Sequence, residues 1–423
     1  MVSQGKQWTI LGYLAGDNNL ASAALTDIQE MEAVGSTNDI NVVVQIDHAA
    51  DYNTGNDAWR STRRYFINKG SNPTKIESTL LKDLGETNTG DPAVIQDFLG
   101  TSIHDYPAEK TMVVFWNHGS GYYVPPDILN TDGQKGATSR ELGNTKAATA
   151  MKRSFFSTTR RELLQISSQR VRGICYDDSS RDCLDNRELK QILRFAQDRL
   201  AGRKIEVLGM DACLMTMIEV AYQVKDYARF LVGSEETEPA NGWPYHTILG
   251  DLAKNPGMDG AALCTAIVNR YVESYGPGQD ITQAALDLSK LGDITTAVGA
   301  LAKAILKAPL TEDLQDSLWL ARKRSTSFYD DMYVDIHHLA LNITKKLRSG
   351  AIHAAADDVM NVIEGKKGSS PIIAEKHAGA RMKYAKGLSI YWPFNKMPST
   401  YYENLDFAGA TGWGDLLKTF GVG

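Results

Sequence analysis

The stretch Ile205–Met217, I-E-V-L-G-M-D-A-C-L-M-T-M, decides how the chain is organised. An apolar run to Gly209 this short reads as a parallel strand buried on both faces, with the residues after it at its carboxyl edge. Open α/β sheets place their chemistry at that edge. Asp211, Ala212 and Cys213 fall there, and Met215, Ile218, Ala221 and Tyr222 then follow at helical spacing. A cysteine at a strand-to-helix junction has its thiolate favoured by amide dipoles and nearby positive charge. Free cysteine is more often a buried small hydrophobe, so Cys213 needs a partner before it reads as a nucleophile.

Thr111–Gly121, T-M-V-V-F-W-N-H-G-S-G, supplies one. It is a second buried-strand run, and it ends in His118 and Gly119. Two neighbouring parallel strands delivering His-Gly and Asp-Ala-Cys to one edge would bring a base to a nucleophile. His118 then takes the Cys213 proton, and the thiolate attacks a carbonyl. The backbone N–H groups of Gly119 and Cys213 hold the oxyanion, and His118 protonates the leaving amine. Gly119 suits that position because a side chain would obstruct a substrate backbone. Asn117 points to the opposite face of its strand, so no third member of a triad is legible.

With these pieces in order, the sequence resembles the clostripain family of cysteine peptidases, of clan CD and the caspase-type fold. The resemblance covers most of the chain. It rests on W-T-I-L-G-Y-L-A-G-D-N-N-L at Trp8–Leu20, G-D-P at Gly90–Pro92, N-H-G-S-G at Asn117–Gly121 and R-G-I-C-Y-D-D at Arg172–Asp178. D-A-C at Asp211–Cys213, S-E-E-T-E-P-A-N-G-W-P-Y at Ser234–Tyr245 and G-L-S-I-Y-W-P at Gly387–Pro393 complete it. The resemblance implies an α/β caspase-like αβα sandwich with a mostly parallel central sheet. It also implies a His/Cys dyad, cleavage after Arg or Lys, and activation of a zymogen by a cut in an internal loop.

Specificity is expected from Asp211, which lies two residues before Cys213 and so on the same face of an extended chain. A carboxylate at the floor of a narrow pocket selects a cation, and the resemblance places this Asp in that pocket. Glu235, Glu236 and Glu238 lie in a loop the family uses as a pocket wall. The sequence does not choose among them, and Glu236 is taken as the representative. Trp243 is read either as stacking on the substrate's aliphatic stem or as core.

The segment after the His-Gly strand is long for a connection in a compact domain. Thr131–Arg172 holds nine basic residues (Lys135, Arg140, Lys146, Lys152, Arg153, Arg160, Arg161, Arg170 and Arg172) against Asp132, Glu141 and Glu162. The surplus of six leaves −12 on the rest of a chain whose net charge is −6. A basic loop beside an acidic site is a built-in substrate for an Arg/Lys peptidase. The favoured cut follows Lys146, in N-T-K-A-A, with Lys152, Arg153, Arg160 and Arg161 as rivals. The same insertion explains why His118 and Cys213 are 95 residues apart, against about 50 in caspases.

A chain of 423 residues, 43% hydrophobic, exceeds one ordinary domain. Residues 1–250 read as the catalytic core, carrying the basic loop at about 122–172. Residues 251–423 read as a helix-rich part packed on it, returning a strand at about 387–393. Earlier, Gln7–Leu14 and Ile40–Ile46 are expected strands, Asn19 caps a helix over Leu20–Val34, and Asp47 and His48 open a solvated loop. Acidic net charge and the lack of a basic patch with interleaved aromatics argue against nucleic acid. No apolar run reaches the ~20 residues that span a bilayer, and four cysteines are too few for a disulfide framework. The N-terminus shows no signal peptide, so the chain as written reads as cytoplasmic, or exported if a leader has been removed. Its expected partners are peptides or proteins with Arg or Lys before the cut, and its own loop; it is expected to act as a monomer.

No cofactor is needed for this chemistry. Asp177, Asp178, Asp182 and Asp185 form an oxygen-rich run that raises calcium, because the family's type enzyme requires it. The spacing lacks the Gly turn and bidentate Glu of a calcium loop, and Asp185 is better read as a helix cap. Two other readings stay open: a silent caspase-fold binding scaffold, and a zymogen cut only by another protease. No G-x-G-x-x-G or G-x-x-x-x-G-K context supports a nucleotide-dependent enzyme.

Overall fold

In this computed structural model the described residues are 5–48, 59–122, 173–328, 332–368, 370–393 and 400–420. The core is one nine-stranded sheet in the order β13-β10-β9-β8-β5-β1-β2-β3-β4. Its strands are β1 (Lys6–Gly16), β2 (Ile40–His48), β3 (Ser61–Phe66), β4 (Thr79–Gly85) and β5 (Ala108–Trp116). β8 (Ile205–Asp211), β9 (Ala228–Gly233), β10 (Ile281–Asp287) and β13 (Ile372–Ala378) complete it. β9, β8, β5, β1 and β2 run parallel, and antiparallel pairs extend the sheet at both edges.

Two helix layers explain the apolar strands. Ala21–Glu32, Tyr245–Lys254 and Gly260–Ser274 pack together, and Pro92–Asp105, Asn186–Arg199 and Ile218–Val224 form a second group. Strands covered on both faces carry unbroken hydrophobic runs, as β2 does, buried at all nine positions. The chain is thus an α/β, caspase-like αβα sandwich with a mostly parallel central sheet.

The chain leaves β1 for β2 on one side and later returns to β5 on the other. β1 and β5 therefore flank a topological switch point, where such sheets open a crevice beyond the strand ends. His118 follows β5 at that crevice.

Several expectations are corrected. The part after residue 250, expected to be helix-rich with one returning strand, also supplies β10 and β13 to the main sheet, so the sheet crosses that boundary. Ser389–Tyr391 (β14) pairs instead in a small sheet with β11 (Ser327–Phe328) and β12 (Tyr333–Asp335). Asp47 and His48 are not solvated; β2 runs through them and both are buried. The helix after Cys213 starts only at Ile218. Ala212–Met217 turns at Cys213–Leu214 and is held out of the helix by tertiary bonds, Leu214 N–H to Glu236 O at 3.2 Å, Thr216 N–H to Ser234 O at 3.0 Å and Ser389 N–H to Thr216 O at 3.1 Å. The basic segment Thr131–Arg172, with Lys146, lies outside the described residues.

Candidate active site

Strand register brings His118 and Cys213 to the ends of neighbouring strands. Trp116 of β5 pairs with Asp211 of β8, so two residues further along each strand His118 lies opposite Cys213. Gly119 is pressed against the cysteine: a Cβ there would stand 2.3 Å from Cys213 O and 3.0 Å from Ala212 Cβ. Glycine is required here by chain packing, a stricter reason than clearance for a substrate. Leu214, next after the nucleophile, is buried with φ at 67°, a left-handed conformation costing about 1–2 kcal/mol in a non-glycine residue. Such strain persists where surrounding bonds fix it, and here the Leu214–Glu236 bond does so.

Two backbone amides are directed at the Cys213 sulfur, that of Glu238 at 3.2 Å and that of Gly119. Cys213 is 1% and His118 3% exposed. Burial raises the thiol pKa well above its ordinary value, and the carboxylates of Glu238 and Glu236 push it the same way. Burial also lowers the His118 pKa to about 3. Thiol and imidazole are thus both neutral at pH 7 in this closed form. The amide dipoles expected of a strand-to-helix junction reach the sulfur, but from the Glu238 loop and from Gly119.

His118 Nε2 lies 2.6 Å from Asn19 Oδ1. Asn19 does not cap the following helix, which begins at Ala21 after Leu20 with no side-chain cap bond. Asn117, as expected, does not serve the ring. Its Nδ2 donates to Ala15 O, and its Oδ1 accepts from Tyr176 N–H at 2.9 Å.

Beside the cysteine lies a buried acidic chamber. Asp211 Oδ2 accepts from Tyr245 Oη at 2.7 Å and from Trp243 N–H at 3.3 Å. The Glu238 carboxyl faces Asp211 and the Trp243 indole N–H. Asp27 stands behind, accepting from Trp116 Nε1 at 2.6 Å. Burial raises Asp211 to about 6, with Glu30 pushing the same way. Burial and Asp211 raise both Glu238 and Asp27 well above the carboxylate range.

The three glutamates of the following loop go separate ways. Glu235 accepts from Gly387 N–H at 2.7 Å, Glu236 turns to Arg381 at 3.6 Å, and Glu238 alone faces Asp211. Of the three acids the sequence left open, Glu238 is the one set beside Asp211. Trp243 is fully buried, its ring over the Gly209 position, so it is core and offers no face to a ligand. Asp27 was missed because nothing in A-L-T-D-I-Q-E marks a buried acid.

The carboxylates that converge elsewhere are Asp17, Asp47 and Asp177, each offering an oxygen within 4.8 Å of the others. All three are buried, and Asp17 and Asp47 each keep an oxygen without a hydrogen-bond partner. Burial raises Asp47 to about 8, with Asp17 and Asp177 adding to it. This all-oxygen set fits a hard cation such as calcium. Of the acidic run read in the sequence only Asp177 belongs to it. Asp185 caps the helix Asn186–Arg199 in a capping box with Glu188, and Asp182 accepts from Asn88 Nδ2 at 2.8 Å.

A histidine and a cysteine just past the carboxyl ends of adjacent parallel strands of an αβα sandwich fit the caspase-like class of folds. Within it, this chain belongs to the clostripain family, peptidase family C11, whose profile matches residues 12–136 and 162–420. It is similar to clostripain of Hathewaya histolytica, 27% identical over 275 residues, 61% of this chain and 44% of that protein's own length. A secreted C11 cysteine protease from Bacteroides thetaiotaomicron, solved in complex with an irreversible peptide inhibitor, matches with TM-score 0.59 at 17% identity over 96% of this chain and 99% of that one. An inactive zymogen C11 protease from Parabacteroides distasonis matches with TM-score 0.61 at 16% identity over 97% and 99%. At these identities the two structures establish the fold.

Proposed function

We propose that this protein is a cysteine endopeptidase that cuts peptide and protein chains after Arg or Lys, made as a zymogen and activated by a cut in its own basic segment. The observation that carries the reading is the acidic chamber against the thiol: Glu238 sends its N–H to the Cys213 sulfur and its carboxyl to Asp211. Two buried carboxyls facing one another share a proton in the absence of a cation, and a guanidinium or ammonium beside the scissile bond would let them ionise and pair with it.

In the reaction, His118 removes the Cys213 proton and the thiolate adds to the scissile carbonyl carbon. The oxyanion is held by the Gly119 and Cys213 N–H groups. The C–N bond then breaks as His118 protonates the leaving amine, and water hydrolyses the thioester to free the enzyme. The buried, neutral dyad is what a zymogen requires. The favoured activating cut is after Lys146. Asp17, Asp47 and Asp177 would hold calcium, which when bound would neutralise the charge they gather at the carboxyl ends of β1 and β2.

The test uses Arg-, Lys- and Asp-ended fluorogenic peptides with the wild type and Cys213→Ala, and intact mass of both. Turnover of Arg and Lys peptides by the wild type alone, with fragments meeting within Thr131–Arg172, supports the proposal. Turnover of neither peptide by a chain cut in that segment would leave a binding scaffold. A Cys213→Ala chain cut like the wild type would assign activation to another protease.

A further inference from the structure

We infer that Asn19 is the positioning residue for His118, fixing the imidazole tautomer that exchanges protons with Cys213. The inference rests on the peptidase reading and adds a third member to its dyad.

Asparagine two residues before a helix is ordinarily spent on the helix N-terminus. Here it is not: the N-cap is Leu20 without a side-chain bond, and the Asn19 oxygen instead stands 2.6 Å from His118 Nε2. The turn that carries Asn19 is held from several sides by its neighbour. Asn18 Nδ2 donates to Ala15 O at 2.9 Å and Tyr176 O at 2.8 Å, and Asn18 Oδ1 accepts from Leu20 N–H at 3.0 Å. The Asn18 N–H closes the turn on Gly16 O at 2.8 Å. Asn117, immediately before His118, is bonded to the same two carbonyls, those of Ala15 and Tyr176. The turn after β1 and the turn after β5 thus share anchors, and Asn19 and His118 are held facing each other across the switch point.

An oxygen at that distance accepts, so Nε2 carries the hydrogen and proton exchange with the thiol runs through Nδ1. The bond strengthens when the ring becomes charged, because charge-assisted hydrogen bonds are the stronger kind. Asn19 therefore orients the ring and favours imidazolium at the moment Cys213 becomes thiolate. An amide does this without adding a negative charge beside Asp17.

The experiment compares Asn19→Ala and Asn19→Asp with the wild type, all cut in the basic segment by an added lysine-specific protease so that maturation is equal. Two readouts are taken across pH: kcat and KM on the Arg peptide, and the rate of Cys213 alkylation by iodoacetamide located by peptide mass. Asn19→Ala is expected to lower kcat roughly 100-fold, the scale of misplacing a catalytic group, with KM little changed. Its alkaline limb, where imidazolium is lost, moves to lower pH in both readouts. Asn19→Asp keeps the acceptor, recovers most of kcat, and moves that limb above the wild type. Wild-type kcat and an unmoved limb in Asn19→Ala would overturn the inference, as would an Asn19→Asp variant no better than Asn19→Ala at equal melting temperature. A wild type that turns over no peptide would instead count against the peptidase reading, and the alkylation profiles would still decide the role of Asn19.

Discussion

The backbone N–H of Glu238 lies 3.2 Å from the Cys213 sulfur, while the same residue's carboxyl faces Asp211. One residue thus joins the nucleophile to the acidic chamber. Glu238→Gln keeps the backbone contact and removes the carboxyl that a bound cation would ionise. It is expected to lower kcat/KM for the Arg peptide about 30-fold or more, mainly through KM, as for loss of one partner in a buried charge pair. Glu236→Gln, at a buried residue whose Arg381 partner is 66% exposed and so screened by solvent, is expected to change it by less than about threefold. Steady-state kinetics of the two variants checks this, and equal effects would remove Glu238 from the pocket.

Asp211 trades stability for charge. Its folded pKa of about 6 lies above the ordinary value of 3.8, chiefly through burial. The folded state therefore holds the proton more tightly than the unfolded one, and ionisation costs stability increasingly as pH rises from about 4 to 6. Asp211→Asn is expected to melt higher than the wild type at pH 7.5, with the gain vanishing below pH 4. The same variant loses Arg turnover. Thermal melts across pH check the sign, and a gain that grows toward acid would contradict it. In the wild type, Arg turnover falls as pH drops through about 6, because a protonated pocket no longer attracts the cation.

Closure of the dyad has a chemical signature. Cys213 is buried and burial raises its thiol pKa, so iodoacetamide is expected to label it slowly in the uncut chain. After cleavage in the basic segment the rate should rise by about two orders of magnitude, as a hydrated thiol paired with imidazolium regains its thiolate. Peptide mass locates the label, since Cys175, Cys183 and Cys264 are also buried. Equal rates before and after the cut would show that the closed form is not what limits the thiol.

The Asp17, Asp47 and Asp177 cluster gives a prediction that needs no activity. Calcium in millimolar excess is expected to raise the melting temperature by several degrees through preferential binding to the folded state. Asp47→Asn should abolish most of that shift, while raising the melting temperature without calcium, because it removes a buried carboxyl whose pKa is pushed to about 8. Melting curves that ignore both calcium and the substitution would leave the trio as mutually protonated core acids.

What the sequence by itself determined is what depends on local pattern. Apolar runs too short for helices specify the buried parallel strands β1, β2, β5 and β8, and the residues that end β5 and β8 name His118 and Cys213. Asp185 signals its cap, because a capping box is a contact within one helix turn. Tertiary structure decided whatever depended on partners distant in the chain. The helical spacing after Cys213 yields to bonds from Ser234, Glu236 and Ser389, which hold Ala212–Met217 out of the helix. Asn19 has the chemistry of a cap and serves a histidine 99 residues away, since strand order places β1 beside β5. Glu235, Glu236 and Glu238 are chemically alike in sequence, and the direction each takes from its loop sets Glu238 beside Asp211, Glu236 beside Arg381 and Glu235 on Gly387 N–H. Trp243 is core for the same reason: side-chain type fixes what a residue can do, and the fold fixes what it meets.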